Sequence, residues 1–412
     1  MTNLEVRKIH LKEVEAYQRI GGYSYGVWSD EIEEWTPEPD RLNRMLAVFA
    51  DGKMTAHLVN NEFEQVVRGV WQPASGIGGV ATLPEYRRQG HVRKLFDATF
   101  ALMREMGQTV SALYPFNQSF YAKFGYVRTN AILSLQLECS ALNHLLPLVN
   151  QAGEEWHYER IPAVQSGKLL QDFAYQLAQM PGRSEYHGFM RDPARKAEDW
   201  KDEQIVFVRE IGTTASPPIV AAARYKLKGY GDGTTIIQEA HWNDASARDR
   251  LLAFVALHSA GMPNVQTHVS PSVNFHSWLS DSSKSYEVKM SHIPLMVRVM
   301  DVVQVLSGVQ VTSVGSGQQF KFSVEDGSCP WVGGTFALTE LGGVLAAQRI
   351  EGKATHGIIP TMTIEGITAL VYGTLPVREI VYRGWIREAN EEQTILLEGW
   401  FPAQPLFNLL DF

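Results

Sequence analysis

Cysteine is nearly absent from this chain: Cys139 and Cys329 are the only two in 412 residues. Two thiols make neither a disulfide framework nor a metal set, so both are expected to be core thiols of a reduced compartment. Long apolar runs are missing too; none approaches the ~20 residues a membrane helix needs. The opening stretch Met1–Lys8 lacks the apolar core of a signal peptide. The expected location is therefore cytoplasmic, with no membrane partner. Positive charge is in deficit, with 37 Lys and Arg against 45 Asp and Glu for a net charge of −8. That balance argues against nucleic acid and mildly favours cationic substrates. Two common phosphate-binding patterns, Gly-x-x-x-x-Gly-Lys-Ser/Thr and Gly-x-Gly-x-x-Gly, do not occur where they would bind.

What is present is ordinary for globular domains: 45% apolar and 20% charged residues. The length calls for two or three domains. One stretch stands out, running from Gly78-Gly79-Val80-Ala81-Thr82 through Pro84 to Arg87-Arg88-Gln89-Gly90-His91-Val92-Arg93-Lys94-Leu95. A β-prone run stops at Pro84, and a basic turn with Gly90 opens a helical pattern. A strand, a turn rich in free N–H groups and a helix N-terminus together form an anion site. Arg87, Arg88 and Arg93 add positive charge, and Gly90 allows close approach of a ligand to the main chain. The ligand this implies carries a pyrophosphate. Solvated arginines on an ordinary surface turn are the alternative.

Downstream residues favour the anion site. Val92, Leu95, Phe96, Thr99, Leu102, Met103 and Met106 fall on one helical stripe, and Gly107 is placed to end the helix. Val110–Tyr114 reads as a strand, followed by Phe116, Asn117 and the segment Phe120-Tyr121-Ala122-Lys123-Phe124-Gly125-Tyr126. The Arg87-x-x-Gly90-x-Val92 turn and this aromatic segment resemble the coenzyme A loop and Phe-Tyr-x-x-x-Gly-Phe/Tyr segment of the GNAT superfamily of N-acetyltransferases. Val92 departs from the small residue usual in that loop, a change that matters little where only its N–H is used. The resemblance implies acetyl-CoA as co-substrate, no metal, and Tyr121 as the acid that protonates the departing thiolate.

Residues 1–150 are expected to form one acyltransferase unit. Met45–Phe49 and Met54–Val59 flank Asp51-Gly52, a strong hairpin signal. Val66–Trp71 and Gly78–Thr82 read as further strands, helical turns are expected around Arg41–Asn43, and Ala131–Leu137 is expected to be the last strand. Residues 151–292 read as a worn copy. Gln204–Glu210, Ile219–Lys226, Thr235–Trp242 and Asn264–Ser270 are expected strands, and Leu251–Ala260 an amphipathic helix. This copy has Asp244 and Asp249 where pyrophosphate would sit, and carboxylates there repel phosphate. In residues 293–412, Ile293–Asp301 is expected to begin a helix continuing through Leu306. Phe320–Val324 and Gly334–Leu338 read as strands, Met362–Tyr372 and Pro376–Trp385 as helices. The terminus, Pro402 to Phe412, is too apolar to be a frayed end and is expected to be packed.

That order of segments resembles the enhanced intracellular survival branch of the superfamily. The resemblance implies a mixed α/β (α+β) fold of two GNAT-like units in tandem and a sterol-carrier-protein-like α+β domain. It implies coenzyme contacts at Val80, Ala81, Thr82, Arg88, Gln89, Gly90, His91, Val92, Arg93, Phe116 and Asn117. It implies that the α-carboxylate of Phe412 returns to the first unit as general base, and that the chain is a homo-oligomer, a hexamer. His91, inside the turn, is expected to act through its backbone. Trp28, Asp30, Glu33, Trp35 and Asp411, with Glu31 and Glu34 nearby, are candidates to hold a polycationic amine; a solvated acidic helix face is the alternative. Three readings stay open: acetylation of aminoglycoside-like amines, acetylation of peptide or protein lysines, and lipid binding by a chain with vestigial GNAT units.

Overall fold

The computed structural model describes residues 3–27, 35–153, 155–180, 182–192, 200–212, 217–229, 231–279, 286–290, 295–311, 317–351, 359–410 and 412. Candidates Trp28, Asp30, Glu33 and Asp411, with Glu31 and Glu34, lie outside the described residues. Two compact units form: Met1–Thr129 with Pro294–Gln404 and Leu410–Phe412, and Asn130–Ile293 with Pro405–Leu409.

The first unit opens with β1 (Leu4–Lys8), α1 (Val14–Tyr25), α2 (Pro39–Leu42), β2 (Met45–Ala50), β3 (Lys53–Val67) and β4 (Val70–Thr82). It continues with α3 (His91–Glu105), β5 (Val110–Leu113), α4 (Gln118–Ala122) and β6 (Val127–Arg128). Asp51 (φ 48°) and Gly52 (φ 82°) make the expected tight turn between β2 and β3. Val66–Trp71 is not one strand. Arg68 (φ 49°) and Gly69 (φ 79°) reverse the chain in its middle, so β3 and β4 form one long hairpin. Two left-handed residues in succession are what a two-residue hairpin loop needs, and an arginine followed by glycine gave little warning of it.

The sheet runs β1-β2-β3-β4-β5, and β5 is followed by a strand from far down the chain, Met296–Val299, which pairs antiparallel with both β5 and β6. This corrects the expected helix over Ile293–Leu306; among its described residues only Val302–Leu306 is helical, capped by Asp301 accepting from the Gln304 N–H. All four residues of Met296–Val299 are buried. A fully buried short strand carries no period that separates it from a helix. The expected closing strand of the first unit moves as well, since Leu133–Glu138 pairs with Asn264–Val269 in the second unit's sheet.

The later part of the first unit forms a five-stranded sheet in the order Val344–Ile350, Gly334–Leu341, Gln319–Glu325, Thr361–Thr363, Ile386–Arg387. Met362 lies on a strand, and the helix expected there starts at Ile364 and ends at Tyr372, with Thr363 as N-cap and Gly373 (φ 59°) after its last turn. Helices Val377–Tyr382 and Glu391–Trp400 follow. The terminal segment is packed as expected, with Trp400, Phe401, Leu406 and Leu410 buried.

The second unit has a seven-stranded sheet in which Trp156–Pro162, Gln204–Glu210, Ile219–Lys228 and Thr234–Trp242 pair antiparallel in succession. Thr234–Trp242 then pairs parallel with Asn264–Val269 across the helix Ala245–Ala256. Its core gathers Trp156, Val206, Val208, Leu251 and Val265, with Cys139 buried among them. Cys329, in the first unit, is buried and free as well.

Candidate active site

The site is built where β4 leaves β5. These parallel strands pair from Ala74↔Val110 to Ile77↔Leu113 and no further. Beyond Ile77, residues Gly78 to Thr82 keep β3 on one side and have no strand on the other among the described residues. An unpaired strand edge offers N–H and C=O groups to an extended amide ligand. The edge is also bent. Register with β3 passes from Val59↔Gly78 to His57↔Ala81, so β4 carries one extra residue there. Gly79, at φ 58°, absorbs the bulge.

One face of α1 supports this bulge. Tyr17, Gly21 and Tyr25 recur every four residues, which places them on one side of a helix. The Tyr17 ring stacks on His57 with centroids 3.7 Å apart. Gly21 faces the same imidazole, and the Tyr25 hydroxyl donates to the Val80 carbonyl at 3.2 Å. A side chain on Gly79 would come within 2.9 Å of the Tyr17 hydroxyl. His57 is buried between α1 and the bulge. Burial pushes its imidazole down to about 3, so it stays neutral. Tyr17, His57 and Tyr25 were missed by sequence reasoning. The spacing of Tyr17, Gly21 and Tyr25 was the one signal that could have marked them.

Past Pro84, a short turn leads through Arg88 (φ 61°) to Gly90 (φ 83°), the N-cap of α3. The first N–H groups of the helix, at His91, Val92 and Arg93, have no intrahelical partners, and among the described residues no side chain caps them. Open space surrounds the position a Gly90 Cβ would take, and Arg87, Arg88, Gln89, Arg93 and Lys94 are exposed. Arg87 is tied back to the Thr82 carbonyl at 3.2 Å, and Gln89 to the Glu85 carbonyl at 2.8 Å. His91 turns inward: its Nδ1 lies 2.8 Å from Thr55 Oγ1, and burial lowers its pKa, with Lys94 adding to the effect. Its side chain is turned into the core, and its N–H is one of those left open at the helix start.

Tyr121 sits on α4, which Asn117 caps by accepting from the Phe120 N–H at 3.1 Å and from Ser119 Oγ at 2.8 Å. The tyrosine is 2% exposed. Phe116, Phe120 and Phe96 surround its ring at centroid distances of 5.4, 5.2 and 5.9 Å. Burial raises the phenol pKa well beyond its ordinary value, with smaller contributions from Tyr25 and Tyr126. Phe116 itself is exposed, and Trp35 lies beneath the Arg41 guanidinium at 5.3 Å.

The last residue reaches this same strand. The Phe412 ring packs between Phe63 and Tyr114 at 4.9 and 5.3 Å, and the Tyr114 hydroxyl donates to the Leu410 carbonyl at 2.9 Å. Gly76 leaves room for this ring and for Phe63, and Gly78 lies alongside the end of Phe412. A Cβ on Gly76 would lie 2.8 Å from Phe412 Cδ2, and one on Gly78 would lie 3.8 Å from the Phe412 carboxyl carbon. Thus β4 carries the unpaired edge, the bulge and the seat of Phe412.

The donors fit a coenzyme A thioester: an uncapped helix start with basic neighbours for a diphosphate, and an unpaired strand edge for the pantetheine amides. No cluster of three or more metal-ligating side chains occurs among the described residues. Among the described residues, no helix is long and apolar enough to cross a membrane.

Residues 5–128 match the family model described as acetyltransferase (GNAT) domain. No curated protein matches the chain. Among solved structures, it is similar to a GCN5-related N-acetyltransferase from Kribbella flavida, with TM-score 0.80 and 19% identity over 100% of this chain and 99% of that one. A GCN5-related N-acetyltransferase from Anabaena variabilis aligns at TM-score 0.78 and 17% identity, covering 100% of both chains. Eis1 from Mycobacterium abscessus aligns at TM-score 0.75 and 14% identity, also over 100% of both. At such identities the likeness is one of fold. The match over residues 5–128 identifies a GNAT domain, a class that takes its acetyl group from acetyl-CoA, and supports N-acetyltransferase activity.

Charge reversal in the turn tests the coenzyme assignment. Arg88→Glu places a carboxylate beside the helix start, where the dipole and neighbouring cations attract phosphate. Isothermal titration is expected to show acetyl-CoA affinity falling by about tenfold or more, against a smaller change in kcat. Unchanged affinity would remove Arg88 from the site.

Proposed function

We propose that the first unit transfers the acetyl group of acetyl-CoA directly to a primary amine of a polycationic small molecule, of the aminoglycoside kind. The observation that carries this reading is the seat of Phe412 against Gly78, on the same strand whose free edge fits the thioester arm. In this reading Val80, Ala81 and Thr82 hold the pantetheine, and backbone N–H groups at the bulge polarise the thioester oxygen. Arg88 to Arg93 hold the pyrophosphate, with Phe116 and Asn117 beside the thiol end. An amine reaches the site mostly as ammonium. The Phe412 α-carboxylate takes its proton, directly or through water, and Tyr121 gives one to the leaving thiolate.

Asp411, Asp30, Glu33, Trp28 and Trp35 are proposed to bind the cationic substrate. The net charge of −8 supports that choice. The second unit is proposed to be a GNAT-like copy without coenzyme. The feature that supports this is Asp244, which caps the helix Ala245–Ala256 by accepting from the Ala247 N–H at 2.9 Å. A carboxylate thereby takes the place that phosphate would need. The last segment is proposed to be sterol-carrier-like, and the chain a cytoplasmic homo-oligomer, a hexamer. The carrier-like fold and the hexamer follow from the resemblance to the enhanced intracellular survival family.

The test is acetyl-CoA-dependent thiol release across aminoglycosides, polyamines and lysine peptides. Turnover with the first group and none with peptides supports the proposal. Turnover with peptides alone establishes the lysine reading instead, and displacement of a fluorescent lipid without any turnover the carrier reading.

A further inference from the structure

Gly125, in the aromatic segment that carries Tyr121, has φ 77°, and a Cβ there would overlap Arg298 Nη1 and lie 2.7 Å from Ile364 Cγ2. Arg298 comes from the Met296–Val299 strand, over 170 residues later in sequence, and is completely buried. Its guanidinium lies over the Phe100 ring at 4.7 Å. Nη1 donates to the Phe124 carbonyl. Nη2 pairs with Asp326 Oδ2 at 2.5 Å, and Asp326 Oδ1 accepts the N–H groups of Ser328 and Cys329, each at 2.9 Å. The carboxylate is thus fixed from behind, and it fixes the guanidinium in turn.

We infer that Arg298, braced by Asp326, is a positioning residue for Tyr121, an inference that rests on Tyr121 being the acid of the proposed reaction. The connection is short. The Phe124 N–H donates to the Tyr121 carbonyl at 2.9 Å, and the Gly125 N–H to the Ala122 carbonyl at 3.0 Å. The Phe124 ring stacks on Phe96 at 4.3 Å and meets Phe120 edge-on at 5.5 Å. Gripping the Phe124 carbonyl therefore sets the turn that ends α4 and the aromatic wall around the tyrosine. A five-residue helix has no stability of its own, so its contacts set its direction. The glycine of the segment is explained by the same contact, because Gly125 is the space the guanidinium occupies.

A buried ion pair is a poor device for stability, since apolar residues of similar volume often serve as well or better. Fixing the direction of a reacting group is a different matter, because a displacement of ~1 Å can cost about 10²-fold in rate. This separates the two roles experimentally. The paired substitution Arg298→Met with Asp326→Leu removes the grip and leaves an apolar pair in its place. Thermal unfolding and acetyl-CoA affinity are expected to stay close to wild type, while kcat falls about 10- to 100-fold. Arg298→Lys keeps the charge but loses the two-pronged geometry, and is expected to fall between.

The decisive readout is a double-mutant cycle. In a Tyr121→Phe background the paired substitution is expected to change kcat by no more than about twofold, because the hydroxyl it positions is gone. Should the apolar pair fail to fold, Arg298→Lys runs through the same cycle. A folded variant with wild-type kcat, or full additivity with Tyr121→Phe, overturns the inference alone. Full activity of Tyr121→Phe overturns the acid role and the inference with it.

Discussion

Tyr121→Phe is expected to lower kcat by about 10²- to 10⁴-fold, the usual contribution of general acid help, while acetyl-CoA affinity stays near wild type. The substitution deletes one oxygen from a ring held by Phe96, Phe116 and Phe120. Packing is conserved, so the change reads the hydroxyl. Burial, the largest cause, lifts the phenol pKa, and the group is therefore fully protonated across the neutral range. That is the state an acid must start from. Pre-steady-state thiol release, compared with coenzyme titration, separates the two quantities. A variant within about threefold of wild type would take Tyr121 out of the mechanism.

Amidation of the Phe412 carboxyl group, introduced by semisynthesis, is expected to reduce kcat by a similar ~10²- to 10⁴-fold. An amide has the size of the carboxylate and keeps the phenyl ring between Phe63 and Tyr114. It lacks a basic oxygen able to accept a proton near neutral pH. Thermal unfolding and coenzyme affinity should not move, since the anchors of the segment are the ring and the Tyr114–Leu410 hydrogen bond. Deleting Phe412 leaves a carboxylate but withdraws it by up to ~3.5 Å, and should be as damaging. Full activity in the amidated chain would transfer the base role to Asp411 or to the carboxylates of Asp30–Glu34.

The elements around the basic turn before α3 were legible because each rests on local rules. Gly90, the stripe from Leu95 to Met103 and Gly107 (φ 67°), just past the C-cap Met106, mark α3 locally, and α3 spans His91–Glu105. The Asp51-Gly52 turn is of the same kind. What escaped was set by distant partners. Met296–Val299 is a strand because it pairs with β5 and β6, and Leu133–Glu138 joins the sheet of the second unit because Asn264–Val269 is there to receive it. The buried run Met296–Val299 shows no period, and the alternation of Leu133–Glu138 marks a strand without naming the sheet that receives it.

The site divides along the same line. Tyr121 and the Arg88–Arg93 turn lie in motifs that can be read directly. Tyr17, Tyr25 and His57 become functional candidates only once α1 is laid against the bulge at Gly79. Arg298 is an arginine in an apolar run until the strand it sits on is threaded beside the Tyr121 segment.

Direct transfer, as proposed for the β4 edge of the first unit, passes the acetyl group from thioester to amine and leaves none on the protein. Mass spectrometry of chain and amine after a single turnover tests it most directly. Incubation with acetyl-CoA and an aminoglycoside is expected to give acetylated amine and unmodified protein, with Tyr121→Phe giving neither product nor acetylated chain. An acetyl group trapped on the protein and chased to the amine would contradict direct transfer, and so would undiminished product from the Tyr121→Phe chain.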